Sequence, residues 1–299
     1  MICLAPLAGV TSMPVREFFS RLGAELTHTE MISCAGIIRD NKRTLTMFEK
    51  SPLENELVIQ FFSAEPQSVT QAVEIVLNHE KNYHALGFNM ACPMPKVTKN
   101  GAGAALLLKP EIAVEITKAL KQFNYPVWLK IRKLKNDNDT LKFVELMLNA
   151  GADNICIHGR TREQRYEGQA DKNILKLAAK NFPGHISASG DVKTLDDINE
   201  YSSYGCNPVM IARAAISNAW IFKELNGCAI NYAERVTDLK ALAARTLELY
   251  GEHVATITVK HFIPSLFHDF NGAAEYRNKA YQATNLEDMF KIFESVNYY

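Results

Sequence analysis

Short apolar runs of β type recur along the chain, each followed by turn residues and then by a segment whose apolar positions fall three and four apart. The runs are ICLAP, ELTHTE, ELVIQFF, ALGFNM, PVWLKI, NICIHG, HISAS and NPVMIAR, eight in all. Between them lie amphipathic stretches such as PQSVTQAVEIVLNHE, PEIAVEITKALKQF, DTLKFVELMLNA, DKNILKLAAKNF and TLDDINEYSSY, whose spacing predicts helices. Strands that alternate with helices pair in parallel, and eight such units in about 225 residues predict a (β/α)8 TIM barrel of the α/β class. An open doubly wound sheet is the alternative.

After about residue 230 the texture changes. The segment from YAERVTDLKALAARTLELYGEHVATITVKHFIPSLFH to Tyr299 reads as helices with no clear strand, so the expected division is a barrel over 1–228 and a small helical domain over 229–299. The loop near Asn226 and Gly227 joins them, and no repeat or low-complexity stretch interrupts either part.

Composition narrows the chemistry. The 33 basic residues balance 33 acidic ones, so no global field announces a nucleic-acid partner and any such binding must rest on local basic patches. Cys3, Cys34, Cys92, Cys156, Cys206 and Cys228 lack the close spacing of a disulfide framework or a CxxC zinc knuckle and read as reduced thiols, with no metal site. The segment MICLAPLAGV lacks the basic leader of a signal peptide, and no apolar run reaches the ~18 residues of a membrane span. The expectation is a soluble cytoplasmic protein.

Catalytic groups of such barrels sit at the C-terminal ends of the strands. Read that way, the first strand ends in Ala5-Pro6-Leu7-Ala8-Gly9, the third contains Gln60, and the fourth ends in Asn89 before Cys92. The fifth carries Lys130 and Arg132, the sixth His158-Gly159-Arg160, the seventh Ser189-Gly190-Asp191, and the eighth Ala212-Arg213. Gln60 or Asn89 alone would be satisfied by loop backbone, but a lysine inside VWLKI is partly buried and must find a partner. The ASGDV and IARAA loops suit a phosphate held by backbone amides. GAGAA at 101–105 only mimics a dinucleotide fingerprint, because it follows a polar TKN loop and not a strand.

These residues carry a resemblance. APLAGVTSMPVR, NMACPMPKVTKNGAGAALL, LKIR, IHGRTREQRYEGQADK, SGDV and IARAA, in this order and spacing, resemble the tRNA-dihydrouridine synthase family of flavin barrels, and VKHFIPSLFHDFNGAAEYRNKA echoes its helical tail. The resemblance implies reduction of the 5,6 double bond of a tRNA uridine, using FMN reduced by NADPH. It implies FMN contacts at Pro6, Leu7, Ala8, Gln60, Lys130, His158, Gly190, Ala212 and Arg213, with Ser189 and Asp191 in the same phosphate loop, and a proton donor at Cys92. Where the family usually has Gly, Asn and Gly, this chain has Ala91, Ser189 and Ala212, two of them beside the expected phosphate.

An ordinary thiol, of pKa about 8.5, is mostly protonated at neutral pH and so suits a general acid. Pro93 restricts Cys92 toward extended geometry. A target base in folded tRNA must leave its stack while phosphate contacts hold the rest. The expected substrate contacts are Asn89, Lys96, Lys99, Arg160 and Arg162 at the mouth, with Arg165 nearby and Lys260, Arg277 and Lys279 in the tail. No obligate protein partner is implied. Three other readings stay open: a flavin barrel acting on a free pyrimidine, a cofactor-free lyase using Lys130 as a Schiff base, and a non-catalytic tRNA-binding relative.

Overall fold

The computed structural model describes residues 1–268 and 270–296; positions 269 and 297–299 of the expected tail lie outside the described residues. Strands β1 (Ile2–Leu4), β2 (Leu26–Ser33), β3 (Glu56–Phe62), β4 (Ala85–Met90), β5 (Val127–Arg132), β6 (Asn154–His158), β7 (Ile186–Ser189) and β8 (Val209–Ile211) close into a parallel barrel in sequence order. Closure is completed by β1 against β8, with Cys3 opposite Met210. The open-sheet alternative is thereby excluded.

The period of two along each strand sorts side chains into two cores. Leu57, Ile59, Phe61, Leu86, Phe88, Leu129, Ile131, Ile155 and Ile157 point outward and merge with the apolar faces of the surrounding helices. Cys3, Ala5, Leu26, Val58, Ala85, Cys156 and Met210, with Trp128 and Ala212 against them, form a separate small cluster inside the barrel. Counting in twos from that inner set reaches Gln60 from Val58, Asn89 from Ala85, Lys130 and Arg132 from Trp128, His158 from Cys156, and Ala212 from Met210. Pleating therefore delivers the polar strand ends to one mouth.

Four helical expectations appear as Pro66–His79, Pro110–Lys121, Asp137–Asn149 and Lys172–Asn181. The fifth, Leu195–Ser203, is started by a reciprocal capping box between Thr194 and Asp197. The tail is helical, with Tyr232–Tyr250, Glu252–Lys260, Ile263–Leu266, Ala273–Gln282 and Leu286–Glu294. It shares its core with the barrel. Phe262 lies 5.7 Å from Phe18 and 5.9 Å from Phe19, ring centre to ring centre, Phe19 lies 5.6 Å from Phe222, and Arg245 reaches Glu17 at 3.0 Å.

Candidate functional site

Strand β4 ends by turning its chain into a loop that its own last inward side chain organises. The Asn89 Oδ1 accepts the amides of Ala91 at 3.1 Å and Cys92 at 2.9 Å, while its Nδ2 donates to Gln60 Oε1 at 2.9 Å. Asn89 and Gln60 are both buried. Behind the loop the Cys92 carbonyl accepts the Ala104 amide at 2.9 Å. Gly103 has φ +60, and a Cβ there would stand 2.7 Å from that carbonyl, so the GAGAA run packs the cysteine loop. Cys92 is half-buried, whereas Cys3, Cys34, Cys156 and Cys206 are buried and Cys228 is exposed.

Lys130 neighbours Asn89 in register and points its Nζ at Ser189 Oγ, 3.4 Å away. Burial lowers its pKa, and the Arg132 guanidinium acts in the same direction. His158 Nδ1 accepts the Arg160 amide at 3.1 Å, which places the ring proton on Nε2. Burial, with Lys130, Arg132, Arg160 and Arg213 around it, pushes His158 down to about 2, so the ring is neutral.

The ends of β6, β7 and β8 enclose a cavity of about 390 Å³ lined by His158, Arg160, Ser189, Gly190, Asp191 and Arg213, among others. Gly190 has φ +119, and a Cβ would stand 2.8 Å from Ala170 Cβ; its carbonyl accepts the buried Tyr201 hydroxyl at 3.0 Å. Arg160, 3% exposed, donates to the carbonyls of Glu167 and Gly168 and to both Asp191 oxygens, while its Nη1 is buried without a partner. Burial alone would raise the Asp191 carboxyl, but the Ala170 amide and Arg160 hold it below the usual range. Arg213 completes the pairing from the rim at 3.3 Å.

The residues expected from the sequence thus fall into two groups. Ser189, Gly190, Asp191, His158, Ala212, Arg213 and Arg160 meet around the cavity. Pro6, Leu7, Ala8, Gln60, Asn89, Cys92 and Lys130 occupy the remaining strand ends and are not part of its lining. Lys96, Lys99 and Arg162 make no ion pair among the described residues, and the two lysines are exposed. In the tail, Lys279 pairs with Glu275 at 2.7 Å and Arg277 donates to the Phe267 carbonyl. Lys260 ends the helix Glu252–Lys260 and precedes His261, whose pKa burial lowers.

Sequence reasoning passed over Lys193, Met210 and Ser217 of the lining, and it passed over Tyr166, an exposed ring within 5.2 Å of the Arg213 guanidinium carbon. A second cavity, of about 400 Å³, lies on the flank between Met13–Arg21 and Tyr232–Tyr250. It is lined by Glu17, Arg21 and Arg245, which are engaged in ion pairs, and no strand end reaches it.

Residues 3–297 match the family model described as dihydrouridine synthase. A "Probable tRNA-dihydrouridine synthase" of Aquifex aeolicus is 31% identical over 302 residues, covering 98% of this chain and 95% of that protein. A "tRNA-dihydrouridine synthase B" of Shewanella oneidensis is 29% identical, covering 84% of this chain and 81% of its own. A rice protein named "tRNA-dihydrouridine(47) synthase [NAD(P)(+)]-like" is 32% identical over 87% of this chain, which spans 39% of that longer protein. Among solved structures, a mandelate oxidase variant superposes with a TM-score of 0.50 at 15% identity, covering 84% of this chain and 75% of its own, a likeness of fold alone.

Proposed function

The chain belongs to the dihydrouridine synthase family, and from that premise we propose that it reduces uridines of tRNA to 5,6-dihydrouridine with FMN as resident cofactor, NADPH as reductant and Cys92 as proton donor. What carries the proposal is the junction of two features at one mouth: a half-buried thiol on a hydrogen-bonded loop, and a cavity lined mainly by cationic and neutral donors. The name of the rice relative supports a nicotinamide reductant.

The residues present fit FMN. At about 390 Å³ the cavity lies in the range of small-molecule sites. The single Asp191 carboxylate is already neutralised by Arg160 and Arg213, leaving the buried Arg160 Nη1 and the His158 Nε2–H as donors for an anion. Gly190, Arg213 and the adjoining Lys193 would hold the phosphate end; Lys130, Gln60 and the Pro6-Leu7-Ala8 loop would hold the ring. Bound FMN would supply a hydride for carbon 6 of uracil.

Cys92 Sγ carries the proton for carbon 5 of the same ring. Asn89 fixes the backbone from which that thiol projects, and Lys130, on the neighbouring strand, offers an N–H donor toward developing negative charge. Segment 229–299 serves the RNA, with Lys260 in the tail and with Lys96, Lys99 and Arg162 on the loops around the mouth.

Purified protein should be yellow, release FMN on denaturation, and convert uridine in transcribed tRNA to a product heavier by two hydrogens when NADPH is added. Colourless protein that takes up no added FMN would remove the flavin reading. Activity on free uridine monophosphate with none on tRNA would favour the small-pyrimidine alternative.

A further inference from the structure

Arg132 ends β5 two residues beyond Lys130 on the same inward face, and it is 3% exposed. Its partners are backbone oxygens and a ring, and among the described residues no carboxylate pairs with it. Nε donates to the Ala91 carbonyl at 2.8 Å, Nη1 donates to the carbonyls of Thr161 at 2.9 Å and Arg165 at 2.7 Å, and the guanidinium carbon stands 5.7 Å from the centre of the Tyr166 ring. A buried cation without a counter-charge is costly and persists only where its hydrogen bonds are well made. These bonds join two loops separated by about 70 residues of chain, the one that carries Cys92 and the one that borders the cavity.

The geometry at Ala91 makes this more than packing. The carbonyl of Ala91 and the amide of Cys92 belong to one peptide plane. Arg132 holds the oxygen of that plane at 2.8 Å, and Asn89 holds its N–H at 2.9 Å. A planar unit hydrogen-bonded at both edges resists rotation about its flanking Cα atoms, and with the next plane held through the Cys92 carbonyl by the Ala104 amide at 2.9 Å, the direction of the Cys92 Cβ is restricted. We propose that Arg132 is the positioning residue for Cys92, clamping the thiol loop at its peptide plane and tying it to the 161–166 loop beside the cavity. The clamp rests on the proposed reading of Cys92 as proton donor for its purpose, but not for its existence.

The test is Arg132→Gln in the full-length, flavin-loaded protein, read by amide hydrogen exchange and by the two half-reactions separately. Loss of hydrogen bonds from a charged donor should speed exchange about tenfold or more in peptides covering 91–104 and 159–168 together, with helix Tyr232–Tyr250 unchanged. Uridine reduction should slow by about tenfold or more while flavin reduction by NADPH keeps its rate. Arg132→Lys keeps the charge but not the planar fork, and it should loosen at least one of the two loops. If Arg132→Gln does not accumulate as folded protein, Arg132→Lys carries the same measurement. Unchanged exchange in 91–104, or a uniform rise across the whole chain, would overturn the clamp. Two loosened loops with an unchanged uridine rate would uphold the clamp and overturn the role of Cys92.

Discussion

Lowering the pH from 7 to 5 should cost the flavin-free protein about 4 kcal/mol of stability, chiefly through two buried imidazoles. Burial pushes His28 down to about 4 against the pull of the Leu4 carbonyl, which its Nδ1 meets at 2.8 Å. Burial and four nearby cations push His158 down to about 2. Both folded values lie below the unfolded value of about 6.5. Above that value neither state is charged and the full stability is present; below it the unfolded chain takes up protons that the native rings refuse. Stability is therefore lost as the pH falls from about 6.5 toward the folded values. Integrated between pH 7 and 5, each ring contributes about 2 kcal/mol, a sum that depends little on how far below 5 the folded values lie. Against a typical total of about 5–15 kcal/mol this is a large change. Urea unfolding followed by circular dichroism at the two pH values measures it. His28→Asn and His158→Asn should each remove about half of the difference, whatever they do to stability at pH 7. A wild-type difference under about 1 kcal/mol, or a variant that retains all of it, would refute the assignment of these rings as neutral and buried.

Three further outcomes follow from the site. Arg213→Ala should weaken FMN binding by about tenfold, because a charge-assisted contact is lost while Asp191 keeps Arg160; fluorescence titration of the apoprotein measures it. Cys92→Ala should leave flavin reduction by NADPH nearly unchanged and slow uridine reduction by about 10²–10⁴-fold, read by stopped-flow absorbance and by mass spectrometry of the tRNA. Replacing Lys96, Lys99 and Lys260 by Ala together should lower the slope of log affinity against log salt by about 0.7–0.9 per lost phosphate contact without altering the flavin spectrum, and an unchanged slope would place the RNA elsewhere.

The barrel was legible because its strands are apolar runs bounded by turns. ELVIQFF and ALGFNM are found with the same limits as β3 and β4. The helix Met13–Arg21 was hidden from that pattern. Its buried face includes Arg16 and Glu17, polar positions whose ion-pair partners, Glu54 and Arg245, are distant in sequence. Arg160 illustrates the same limit from the other side. In sequence it belongs to a basic loop suited to phosphate, but the fold buries its side chain and spends most of its donors on Glu167, Gly168 and Asp191. Arg132 gave no signal of its partners either, since they are backbone oxygens of remote loops, and a backbone oxygen has no identity in a sequence. The tail read as helices with no clear strand, without any sign that Phe18 and Phe19 of the barrel were the rings Phe262 would meet.

That aromatic seam has a consequence for choice of target. With Phe262 set among Phe18 and Phe19 and Arg245 paired with Glu17, the helical segment is packed against the barrel wall, and such close packing would hold the span from its outer surface to the Cys92 sulfur nearly constant. On the proposed function, all of the bending needed to bring a uridine to the thiol then falls on the RNA. The protein would act as a gauge of constant opening, and a uridine would qualify by its distance from the place where the tail grips, with the bases around it counting for little.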